Sequence, residues 1–258
     1  IVALILLVAA MAVLYHPQAP AEDGGPNDGA DKGDADKDPG DDTPSKTEIA
    51  PMVVNLTGTA NATTESFELV SGISVINLSC EQERGNFIVY LTEANGIYPV
   101  CQLTNSIGPY NGSFALGVNG AGYPDILMGL GDGNYSGLQP GEYRLSVKAW
   151  GSWNISIHQP RNLTSLPDAI DESGRGDVAL PAFNLTAGTA NVSISYESTS
   201  MLFIWLHDVD GNAVAMLANG TGASSTTYSL EVESGTYYAT VVDMDIFDRS
   251  TWSISITQ

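Results

Sequence analysis

The chain has 258 residues, a formal net charge of −21 and only nine Lys plus Arg. Such an acidic excess excludes nucleic acid and anionic lipid surfaces as partners, because affinity for phosphate requires clustered cations that displace counterions. The length allows one large domain or two small ones. No G-x-S-x-G, H-E-x-x-H or phosphate-loop motif occurs, so no catalytic residue, cofactor or enzymatic activity is expected.

Ile1 to Tyr15 reads IVALILLVAAMAVLY, apolar all round and without a helix breaker. Residues 1–16 are therefore expected to form an apolar helix rather than an ordinary core helix. Fifteen helical residues rise about 22 Å, short of a hydrocarbon core of about 30 Å. Three roles fit: the remainder of a membrane anchor, the h-region of a signal peptide, or a helix through which copies assemble. A chain opening directly on an apolar helix resembles archaeal type IV pilin-like subunits, although no acidic residue stands near its start. That resemblance implies self-association through the segment.

Residues 17–50 change character. They hold five Pro, five Gly, ten acidic residues and three Lys, with Ile49 as the one large aliphatic. So little apolar area cannot offset the entropy of ordering, and a charged, extended linker is expected.

Beyond it one pattern is written twice. Phe67-Glu68-Leu69 with Gly72 matches Phe183-Asn184-Leu185 with Gly188; FIVYLTEANG, ending at Gly96, matches LFIWLHDVDG, ending at Gly211. GEYRLSV and WNISIHQ (Gly141–Val147, Trp153–Gln159) match GTYYATV and WSISITQ (Gly235–Val241, Trp252–Gln258). Short apolar/polar alternation between Gly, Asn and Asp turns is the pattern of antiparallel strands with one buried face. It puts Tyr143, Leu145, Val147, Trp153, Ile155 and Ile157 in a core. Asn95-Gly96 and Asp210-Gly211 suit type I′ hairpin turns. The expected fold is all-β: two tandem antiparallel β-sandwich, jelly-roll-like modules, 51–160 and 181–258, joined by a connector over 161–180.

The G-x-Y-x-x-x-V and W-x-I-x-I-x-Q strands resemble those of pre-peptidase C-terminal-like domains of archaeal and bacterial surface proteins. The likeness covers roughly residues 52–160 and 181–258. It implies a sandwich fold and an extracellular setting, with no activity.

Ten of the sixteen asparagines begin N-x-S/T sequons: Asn55, Asn61, Asn77, Asn111, Asn134, Asn154, Asn162, Asn184, Asn191 and Asn219. Chance gives about two or three such matches at this Ser and Thr content. The excess points to covalent N-glycans and to a cell-surface or extracellular protein. Asn77, Asn154 and Asn184 each lie between apolar residues, so strand alternation turns them to solvent if those neighbours face a core. Cys80 and Cys101, an even pair in an exported chain, read as a disulfide closing a loop of about 20 residues, worth roughly 3 kcal/mol. They align with Tyr196 and approximately Met216.

No metal site is expected. Two cysteines cannot fill a zinc site, and His16, His158 and His207 show no ligand spacing with them. Asp208-x-Asp210-x-Asn212 begins like a calcium loop, but Gly211 and Asn219 fall where the EF-hand pattern fails; it reads as a hairpin turn. Asp243, Asp245 and Asp248 read as a solvated loop, with calcium as the lesser alternative, and Arg175-Gly176-Asp177 as an accidental integrin-type tripeptide. Tyr98, Tyr110, Tyr123 and Tyr135 read as loop packing, with sugar stacking as the alternative.

These residues lead to one expected role: a structural cell-surface N-glycoprotein, a subunit of an extracellular filament or surface layer. The alternative is a membrane-anchored adhesion module that binds a glycan or a surface protein.

Overall fold

The computed structural model describes residues 52–118, 138–161, 163, 166–247 and 249–258. The expected helix over 1–16 and linker over 17–50 lie outside them.

Alternation of buried and exposed side chains carries the chain into strands. The first nine are β1 (Met52–Gly58), β2 (Ala62–Thr63), β3 (Phe67–Leu69), β4 (Gly72–Glu81), β5 (Asn86–Glu93), β6 (Pro99–Ile107), β7 (Tyr110–Val118), β8 (Gly141–Lys148) and β9 (Ser152–Gln159). They form two antiparallel sheets, ordered β1-β9-β4-β7 and β2-β8-β5-β6, with β3 also on β8. Phe87, Leu91, Leu145, Ile155 and Ile157 are fully buried in their shared core, where each contributes roughly 1.5–3 kcal/mol. Tyr143, Val147 and Trp153 join them, as alternation requires.

The second half follows as β10 (Ile170–Arg175), β11 (Val178–Ala179), β12 (Phe183–Leu185), β13 (Gly188–Asp208), β14 (Ala213–Val232), β15 (Gly235–Asp243) and β16 (Thr251–Thr257). The same pairings recur. The first half of β13 pairs with β16 and its second half with β15, while β14 accompanies both. Gly188↔Val232 matches Gly72↔Val118 in register, and Tyr196↔Ser224 matches Cys80↔Tyr110. Where the first half breaks its strand between β4 and β5, with Gly85 at φ 91°, β13 passes through with a register shift after Ser198.

Equivalent bulges, which put two residues of one strand opposite one of the other, lie between Val89 and Tyr90 and between Ile204 and Trp205. The inserted residues are Leu103 and Leu217, both buried. The ladder sets Cys101 opposite Leu91 and Ala215 opposite Leu206, so Cys101 corresponds to Ala215 rather than Met216.

The repeated motifs make repeated hydrogen bonds. The Trp153 and Trp252 indoles donate to the carbonyls of Ala60 and Gly176, at 2.9 and 3.0 Å. The Tyr143 and Tyr237 hydroxyls donate to the carbonyls of Gln139 and Glu233. The Gln159 amide bridges the N–H and C=O of Val70 at 2.9 and 2.7 Å, and Gln258 does the same for Thr186. Each closing glutamine thus stitches its last strand to the residue after β3 or β12.

Three expectations change. Residues 170–175 and 178–179 of the expected connector are strands: β10 pairs with β16, and β11 with β15. Their polar sequence hides them, because a sheet edge leaves most of Asp171 to Arg175 in solvent. The hairpin turns close as Gly96 N–H to Glu93 C=O and Gly211 N–H to Asp208 C=O, which puts each glycine last in the turn instead of central. Finally, Cys80 and Cys101 are two free, buried thiols. Cys80 is the last residue but one of β4, beside the 82–85 corner, whereas Cys101 lies across from Leu91 in the opposite sheet. Leu91 is roughly 16 Å along β5 from Asn86, and stacked sheets stand about 10 Å apart. A disulfide needs Cα atoms within about 7 Å.

Thr47–Gln258 forms one compact unit. Ile73 and Ala115 of the first half pack with Ala182 and Tyr238 of the second, and Phe203 and Val242 reach the first core. Hydrogen bonds run from Ile73 N–H to Val209 C=O and from Ala115 N–H to the Thr240 hydroxyl. Gly117 and Gly211 meet backbone to backbone; a Cβ on Gly117 would overlap the Gly211 carbonyl.

Candidate functional site

Four of the sequons fall on one sheet. Asn55 lies on β1, Asn154 on β9, Asn77 on β4 and Asn111 on β7, one per strand of the β1-β9-β4-β7 sheet. In a strand, Asn and the hydroxyl residue two positions on share a face. Leu78 and Ile155, the middle residues of two of these sequons, are buried in the core beneath.

The register aligns all four sequons in two rows. One runs Asn55, Ser156, Asn77, Ser113 across the sheet; the other runs Thr57, Asn154, Ser79, Asn111. Every Asn thus stands opposite a sequon hydroxyl of the neighbouring strand, and Asn77 Nδ2 donates to Ser156 Oγ at 3.1 Å. From strand spacing, successive asparagines zigzag at about 8 Å. All four are exposed, and none of the eight positions is charged.

Asn191 and Asn219 are exposed on β13 and β14. Exposed Asn61 accepts from Ala149 N–H through Oδ1, which keeps Nδ2, the nitrogen that takes a sugar, away from that bond. Asn184 is half-buried and accepts from the Thr236 hydroxyl. Asn134 and Asn162 lie outside the described residues, as do Tyr123, Tyr135 and Asp248.

The other candidates are absorbed by structure. Asp177 of the Arg-Gly-Asp tripeptide is buried, accepting from the Tyr110 hydroxyl and from Asp243 N–H, both at 2.7 Å. Both Asp208 carboxylate oxygens accept from Asn212, at 2.8 Å each. Asp243 accepts from Asp245 N–H and from the N–H and hydroxyl of Ser250. Burial raises its pKa. Burial acts the same way on Asp245, but the Thr199 hydroxyl, Phe247 N–H and Arg249 outweigh it and hold that carboxyl low. Among the described residues no cluster of His, Cys, Asp or Glu could hold a metal. Tyr98 is exposed and Tyr110 is buried.

Strand alternation turns Asn77, Asn154 and Asn184 outward; the first two are exposed and Asn184 is half-buried, and strand order and register, which align the four sequons, are not local properties. Sequence reasoning also passed over Trp150, which is 82% exposed and stands over Gly85.

No family model and no curated protein matches the chain. Among solved structures it is similar to a conserved protein of unknown function from Pseudomonas aeruginosa PAO1, at 13% identity over 80% of this chain and 79% of that one, with a TM-score of 0.22. It is also similar to a protein of an archaeal virus described by a triple jelly roll fold and turret assembly (9% identity, 82% of this chain and 59% of that one, TM-score 0.23). A third is the PBSX exported protein XepA (9% identity, 79% and 86%, TM-score 0.23). Overlaps this slight carry no argument about role.

Proposed function

We propose that the chain is a structural, non-enzymatic N-glycoprotein of the cell surface, a subunit of an extracellular filament or surface layer. Its body is two tandem jelly-roll-like sandwiches, akin to pre-peptidase C-terminal-like domains, and residues 1–16 anchor or assemble it. The observation that carries this reading is the two-row array of Asn55, Asn77, Asn111 and Asn154, with one sequon on every strand of a single face. A hydrated sugar at each corner of the zigzag would cover the part of that face that the second half leaves open and keep sheets of other molecules from stacking there. The repeated strand order and the paired Trp, Tyr and Gln hydrogen bonds support the tandem-module part.

Glycopeptide mapping of the native protein tests the reading. Sugar is expected on Asn55, Asn77, Asn111 and Asn154, and an intact mass near the bare 27.1 kDa would overturn it. A second reading, a binding module for a glycan or a surface protein, draws on the exposed indole of Trp150, a ring suited to stacking on a sugar face. Saturable binding on a glycan array, lost in Trp150→Ala, would favour it.

A further inference from the structure

The two halves share their strand order but differ in how one edge is closed. In the first half the outer edge of β7 is covered: Ser113 N–H donates to Asp177 C=O, and Ala115 N–H to the Thr240 hydroxyl. Register makes Thr227 and Ser229 of β14 the counterparts of Ser113 and Ala115. Their N–H and C=O groups point away from β13, and among the described residues β14 pairs with β13 alone. Residues 221–227 are all exposed.

Beyond the register shift at Gly220 to Gly222 this edge has little protection. From Thr221 to Leu230 it reads TGASSTTYSL, without Lys, Pro or any charge, in a chain of net charge −21. Protein sheets normally blunt such an edge with charge, proline, a bulge or a cover.

We infer that β14 is a self-association edge, and that a second copy of this chain adds its own β14 antiparallel across a two-fold axis at Thr227. Thr227 then faces Thr227 of the partner, and Ser225 faces the partner's Ser229. These are the residues whose backbone groups point outward, so the junction gains roughly six hydrogen bonds. Glu231 falls opposite a neutral Ala223, so no like charges meet, and elsewhere the acidity of the chain opposes wrong contacts. The outer faces of the two joined sheets continue as one surface of hydroxyls, of which Ser193 and Thr227 are already hydrogen-bonded at 3.1 Å. The inference rests on this edge and not on the glycan reading.

Cross-linking of the full-length chain tests it. Cα atoms of a hydrogen-bonded antiparallel pair are about 5.5 Å apart, within disulfide reach. Thr227→Cys should therefore give a disulfide-linked dimer under mild oxidation. Ser253→Cys, on a central strand of the same sheet, should not, and the native thiols are buried. In sedimentation velocity the native chain should shift from one to two chain masses as concentration rises. Thr227→Pro should abolish that shift without harming the fold, because its N–H serves no ladder bond with β13. Thr227→Lys, which puts two cations on the axis, is a second disruption that leaves the backbone intact. A monomer at every concentration, a dimer surviving both substitutions, or equal cross-linking through Ser253→Cys would each overturn the inference.

Discussion

Acidification should weaken this protein through His207. The side chain follows Phe203 and Trp205 on the outward face of β13, where the two halves pack, and it is fully buried. Burial lowers its pKa from the ordinary 6.5 to about 4. The unfolded chain therefore binds this proton more readily than the folded one. The neutral imidazole's contribution is complete above pH 6.5 and drains away as pH falls towards 4. At 1.36 kcal/mol per pKa unit the full loss is about 3 kcal/mol, with about 2 kcal/mol gone by pH 5. Urea denaturation of the native protein at pH 7.5 and pH 5 measures it, and His207→Phe supplies the comparison. The variant can be less stable at both values through altered packing, but its pH dependence should be shallower by about 2 kcal/mol over that interval. Equal slopes for the two proteins would refute the argument. Asp243 and Asp245 titrate in both proteins and cancel from the difference.

The closing glutamines should differ in worth. Gln159→Ala strips partners from the backbone of Val70 and from Ser74 in a fully buried place, and should cost about 2–4 kcal/mol in chemical denaturation; Gln258→Ala, where water replaces the lost bonds, should cost about 1 kcal/mol or less. The thiols should resist alkylation. Burial raises the pKa of both, that of Cys101 to about 12, so mass spectrometry should find no adduct on native protein and two after denaturation, whereas a linked Cys80–Cys101 peptide would contradict the free-thiol structure.

Much of the strand framework was legible because alternation is local: Tyr143, Leu145, Ile155 and Ile157 face inward as their spacing demands. The repeated Trp, Tyr and Gln positions were visible too, although their hydrogen bonds were not. β10 escaped notice because an edge strand needs only one buried face, and Asp171 to Arg175 carry almost no apolar signal. The cysteine pairing failed for a related reason. Nearness in sequence and shared strand ends say nothing of which sheet each strand joins, and here β4 and β6 belong to opposite sheets. For the sequons, parity was readable one strand at a time, but the rows depend on four strands brought together from a span of about a hundred residues.

The seam between the two halves joins surfaces whose equivalents elsewhere have a different chemistry. Ile73, Val75, Ala115 and Gly117 form one side of it, and their counterparts in the second half are Thr189, Asn191, Ser229 and Glu231. On the other side Ala182, Tyr238 and Val242 correspond to Ser66, Arg144 and Lys148 of the first half. The used surfaces are largely apolar, with Tyr110, Asp177 and Thr240 hydrogen-bonded across them, whereas their counterparts carry hydroxyls, charge or a sequon. Burying those counterparts in the same way would take the Glu231 carboxylate, now held by the Thr189 hydroxyl, and the Lys148 ammonium, which lies over the Tyr90 ring, out of water, and that is costly for any charge. The surface pair that joins the two halves is therefore unlike the equivalent pair left on the outside.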